Sequence, residues 1–147
     1  MKAAPDPTRG VLDALLELRL ELSLLNRRIA IEAGLNEIAL DCLELISRQG
    51  PTSPARLTRR LGIHPATMTG ILSRLEDSGW IERTADPSDR RASVLKIAAK
   101  RDAQLRKRYA SSTQAVVDAI SARSDDDVAV VLELLNELAT RAHDARQ

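Results

Sequence analysis

The chain has 147 residues, 22 basic and 21 acidic, and its apolar content is almost all Leu, Ile, Val and Ala, with one Trp, one Tyr and no Phe. That is the size of one domain, or of one domain with appended helices, and it can bury a substantial helical core while offering little aromatic surface to unpaired bases or flat ligands. No apolar run is long enough to span a bilayer, Met1 to Gly10 lacks a signal-peptide core, and the single Cys42 excludes a disulfide framework and any multi-cysteine metal site, so a soluble cytoplasmic chain without a cofactor is expected.

Pro5, Pro7 and Gly10 are expected to keep the first residues out of a helix, which then runs from Val11 to about Gly34. Leu12, Leu15, Leu16, Leu22 and Leu25 fall near a 3.6-residue period, and Leu18, Leu20 and Leu24 widen the stripe beyond one face. A helix apolar on nearly every side must be covered on every side, which predicts a subunit interface. Asn36 is placed to cap a second helix, from Glu37 to Gln49, with Gly50-Pro51 as its stop and Ile38, Cys42, Leu45 and Ile46 as its inner face. Ser53-Pro54 repeats the cap-then-proline start for a third helix, ending at Leu61-Gly62.

Ile63-His64-Pro65 opens a fourth helix that stops at Ser78-Gly79. Trp80 to Arg83 reads as a strand, with Trp80 filling the core, and Thr84 to Arg91 as a turn-rich, basic hairpin tip. Ser93 to Ile97 returns as the second strand, and a long helix follows from about Ala98 to Ala122. Ser124 caps the last helix, where Asp125, Asp126 and Asp127 meet the positive end of its dipole. Val128, Val131, Leu132, Leu135, Leu138 and Ala142 form its apolar stripe.

The expected fold is mainly α with a small β-hairpin wing. Helix, tight turn, helix and hairpin give a winged helix-turn-helix lobe over 36–98, with helical dimerisation segments at 11–34 and 99–145. Leu12, Leu15, Leu16, Val131, Leu135 and Leu138 are the candidate dimer contacts.

A net charge of +1 conceals a division. From Arg48 to Arg101 there are 11 basic and 5 acidic residues, a balance of +6, whereas the remainder balances at −5. A basic centre between acidic ends suits a lobe that meets a polyanion. The fourth helix fits the major groove of duplex DNA, which needs small or polar side chains at a helix's leading end. Pro65, Ala66, Thr67, Thr69, Gly70, Ser73 and Arg74 would lie outward, with Met68, Ile71, Leu72 and Leu75 packing inward. Helix starts at Thr52-Ser53 and His64 suit phosphate, His64 serving either as a DNA contact or as a cap. Arg56, Arg59 and Arg60 suit phosphate as well, and Arg90 and Arg91 suit a narrow minor groove.

PATMTGILSRLEDSGWIER followed by DPSDRR resembles the multiple antibiotic resistance regulator (MarR) family of winged helix-turn-helix transcription factors. Leu35-Asn36-Glu37, Leu57 to Leu61 and the terminal helices fall in the same order, so the resemblance covers nearly the whole chain. It implies a homodimer joined by its first and last helices, a pseudo-palindromic double-stranded DNA site, and a wing in which Asp89 supports Arg91 in the minor groove. It also implies repression relieved by a small-molecule effector or an oxidised Cys. Ile97-Ala98 departs from the family's usual Leu-Thr with a Gly a few residues later, which touches the start of the long helix.

Two other classes compete. A winged helix used only to bind proteins would show a mixed-charge outer face, and an enzyme would show a phosphate loop, a nucleophile motif or a metal cluster; the sequence carries none of the latter. Cys42, set among Ile38, Leu45 and Ile46, reads as core packing rather than a redox switch.

Overall fold

The structure is a computed structural model that describes residues 6–87 and 92–145. Its elements are α1 (Pro7–Ala33), α2 (Glu37–Gln49), α3 (Pro54–Leu61), α4 (Pro65–Asp77), β1 (Ile81–Ala85), β2 (Ser93–Ile97), α5 (Ala99–Ser121) and α6 (Asp125–Asp144). The order is helix-turn-helix followed by a hairpin, with long helices at both ends. The chain divides into two compact units, Met1–Arg108 and Tyr109–Gln147.

In the first unit the core lies where α2, α4 and the hairpin meet. Leu40, Cys42, Leu43 and Ile46 of α2 pack with Met68, Leu72 and Leu75 of α4, and Leu57, Leu95 and Leu105 close the sides. β1 and β2 pair antiparallel with Ile81 opposite Ile97 and Arg83 opposite Leu95. Leu95 also exchanges two backbone hydrogen bonds with Thr52, at 2.8 and 3.0 Å, which ties the approach to α3 onto the hairpin.

Several expectations need correction. α1 begins at Pro7, not Val11, because Asp6 caps it by accepting from the Thr8 N–H at 3.0 Å. Proline at a first helical position gives up only an N–H that has no helical partner, so Pro7 starts the helix instead of blocking it. The inner face of α2 is Ala39, Leu40, Cys42, Leu43 and Ile46; Leu45 is half-buried and Ile38 is 40% exposed. α2 is packed by α1, α4 and β2, and these neighbours set a face rotated from the one its apolar residues alone suggest. The first strand starts after Trp80 and reaches Ala85, so Thr84 belongs to the ladder.

α1 buries only Ile29 and Ala30. Val11, Leu15, Leu18, Leu22, Leu25 and Ile29 alternate four and three residues apart, the spacing of a coiled-coil seam. Leu12, Leu16, Leu20 and Leu24 form a second row four apart. In the second unit, the end of α5 and α6 line an apolar groove of about 790 Å³ with Val116, Ala119, Ile120, Val131, Leu132 and Leu135. No described residue of α6 is buried.

Candidate nucleic-acid interface

Each end of the helix-turn-helix is set by local chemistry. Ser53 caps α3, its Oγ accepting from the Arg56 N–H at 3.3 Å, with Pro54 in the first turn. Gly62 ends α3 in a left-handed conformation, φ 67°, that a side chain would strain. His64 caps α4, its Nδ1 accepting from the Ala66 N–H at 3.3 Å. The geometry therefore gives His64 a capping role at the leading end of α4, where it stays exposed. Thr52 cannot present itself to phosphate, because it is buried against Leu95; its Oγ1 has no hydrogen-bond partner among the described residues.

α4 divides as its period requires. Met68, Ile71, Leu72 and Leu75 are buried, whereas Pro65, Ala66, Thr67, Thr69, Ser73 and Arg74 are exposed and Gly70 is half-exposed. Thr69 spends its hydroxyl on the Pro65 carbonyl at 3.0 Å. Thr67 and Ser73 make no hydrogen bond to any described residue, so both hydroxyls face outward unspent. A Cβ on Gly70 would meet nothing within 4 Å. Glycine in a helix interior costs about 1 kcal/mol against alanine, and no packing among the described residues accounts for it.

The cations sort into two groups. Arg83 pairs with Glu76 at 3.3 Å, Lys96 with Glu82 at 2.9 Å and Arg48 with Glu44 at 2.7 Å. Arg56 and Arg59 on α3 and Arg74 on α4 are exposed and have no carboxylate partner among the described residues. Arg56, Arg59 and Arg74 thus put positive charge without a described carboxylate partner on both helices of the helix-turn-helix. Asp89, Arg90 and Arg91, expected at the wing tip, lie outside the described residues.

The contact of Arg83 with α4 is invisible to sequence reasoning, which counts that residue only as charge. Its Nε bonds Glu76 on α4 and its guanidinium donates to Ser93 Oγ at 3.1 Å, so one side chain ties the wing to the helix beside it. Spacing gives no signal for such a pair, since a turn and a strand start separate its partners.

Beneath α4, Cys42 Sγ lies 3.9 Å from Met68 Sδ, and burial pushes the thiol up to about 11, with Asp41 adding to the rise. Asp41 itself is held above its usual range by burial and by Glu44 and Glu37. No group of three or more metal-ligating side chains occurs among the described residues.

A sequence model of the MarR family matches residues 35–93. The HTH-type transcriptional repressor Rv2887 of Mycobacterium tuberculosis is 33% identical over 101 residues, covering 65% of this chain and 69% of that one. Transcriptional regulator Tm0710 of Thermotoga maritima superposes with a TM-score of 0.68 at 27% identity, over 93% of this chain and 96% of that one. A MarR family protein from Bacillus stearothermophilus gives a TM-score of 0.72 at 17% identity over 95% and 99% of the two chains, a likeness of fold alone.

Proposed function

The chain belongs to the MarR family of DNA-binding transcriptional regulators, and from that premise we propose that it is a cytoplasmic homodimeric repressor that leaves a pseudo-palindromic operator on a small-ligand or other signal. The outer face of α4 carries this reading. It offers mostly small or polar groups, with hydroxyls at Thr67 and Ser73 that bond no described residue and open backbone at Gly70. Such a face admits the edges of base pairs, and Arg56, Arg59 and Arg74, without a carboxylate partner among the described residues, supply the phosphate attraction around it. Ser53, His64, Pro65, Ala66 and Thr69 complete the contact surface, and the wing adds Asp89, Arg90 and Arg91, with Arg91 in the minor groove.

The dimer follows from uncovered apolar surface. Leu12 and Leu16 are 55% and 50% exposed in one chain, and Val131 and Leu135 are 53% and 42% exposed. A second copy covering Leu12, Leu15, Leu16, Val131, Leu135 and Leu138 removes that surface from water. Two-fold symmetry then sets two copies of α4 about 34 Å apart, in successive major grooves on one face of the duplex.

The test is selection from a random-sequence duplex library on the purified chain. A pseudo-palindrome with half-sites one helical turn apart is the expected product, retained less at higher salt. Failure to enrich any sequence would leave a protein-interaction module as the better reading.

A further inference from the structure

The trailing end of α4 is clamped from α5. Gly79, at φ 70°, donates to the Glu76 carbonyl at 2.9 Å, and Trp80 donates to the Leu75 carbonyl at 2.8 Å, the paired closure of a left-handed helix stop. Leu75 and Trp80 are both buried at that stop. α5 attaches there twice. The Ala98 N–H donates to the Trp80 carbonyl at 3.0 Å. One turn on, the Arg101 guanidinium lies 4.8 Å from the centre of the Trp80 ring and reaches the Ser78 carbonyl at 3.4 Å.

α5 starts without a side-chain cap. α1, α2, α3, α4 and α6 each start with a side chain that accepts a backbone N–H, but the residue before α5 is Ala98, whose methyl accepts nothing. Ala98 also stands where the chain departs from its family's pattern. A cation over an indole face, also bonded to the carbonyl of a helix's C-cap, is attracted by both the ring quadrupole and the negative end of that helix.

We propose that Arg101 is a positioning residue for DNA reading: by joining the start of α5 to the end of α4 through Trp80, it fixes the angle at which α4 enters the groove. The inference rests on the DNA-binding reading above. It acts through α4, because 13 residues at 1.5 Å each put the clamp about 20 Å along the helix from its leading end. Asp77, exposed beside the clamp, repels phosphate there.

The experiment compares the intact chain with Arg101→Met and Arg101→Lys, using the duplex most enriched by the unaltered chain and a scrambled duplex of equal length. For Arg101→Met, affinity for the enriched duplex should fall about tenfold, the scale on which a remote positioning contact acts, while affinity for the scrambled duplex and the salt slope stay unchanged. Arg101→Lys should recover part of the loss, and it carries the test if the methionine variant does not fold. Trp80 is the only tryptophan, so its emission reads the stack directly and should change in Arg101→Met. Unchanged emission, or unchanged affinity for the enriched duplex, overturns the proposal. So does a parallel fall of a folded variant on both duplexes: with a shallower salt slope it makes Arg101 a phosphate contact, and with an unchanged slope it makes the residue merely structural. If the unaltered chain enriches no duplex, the DNA-binding reading itself fails, and this proposal with it.

Discussion

Arg91 is where a single substitution should weigh most on DNA binding. An arginine in a narrow minor groove is held by concentrated negative potential that alanine cannot use. Arg91→Ala is expected to weaken binding to the enriched duplex by about 1–3 kcal/mol. Undiminished affinity in a folded variant would remove the wing from the interface. Cys42 should behave in the opposite way, as a silent residue. Its thiol is buried and stays neutral up to about 11, so thiol reagents should label it slowly in the native chain near neutral pH and quickly once it is denatured. The sign of the linkage follows. The folded chain holds this proton more tightly than the unfolded one, whose thiol titrates near 9.0, so the stabilising effect is complete below 9.0 and is lost as pH rises toward about 11. Rapid native labelling at neutral pH would reopen a redox role.

At the level of elements, helix ends were the most legible feature of the sequence, because a cap acts within three residues. Asn36 accepts from the Ala39 N–H at 2.8 Å and Ser124 from the Asp127 N–H at 3.2 Å, as their positions just before the helical runs suggest. Ser53→Ala should therefore cost about 1 kcal/mol of stability, read as a lowered thermal midpoint, and no loss would show that α3 is held by packing alone. The buried face of α4 was equally legible, since four apolar residues at helical spacing admit one phase. α2 was not, because Ile38 and Leu45 are as apolar as the residues that are actually buried and only the neighbouring elements choose between them. Pro7 misled for a local reason: it serves as a breaker or a starter depending on whether the residue before it can cap, and Asp6 can. The link of Arg83 to Glu76 depends on the turn after α4, and that of Arg101 to Trp80 on the return of the hairpin, so no periodicity announces either.

Considered as a whole molecule, the chain separates its net positive charge from its exposed apolar surface. The basic centre holds the reading helices, while α1 and α6 expose leucine and valine that a lone chain leaves in water. Burial of such surface is worth roughly 25 cal/mol per Å², which favours a second copy over solvent. Leu12→Glu together with Leu16→Glu should shift the chain toward monomer in sedimentation equilibrium and weaken operator binding in step, since each half-site then binds alone. Undisturbed association would place the interface away from this face of α1.

The mass of the complex formed on the enriched duplex tests the account most directly. Sedimentation of the intact chain with that duplex should give two chains on one duplex, without a stable one-chain species at intermediate ratios. A single chain per duplex, or no complex at all, would contradict the claim that two copies of this helix-turn-helix read duplex DNA as a symmetric pair.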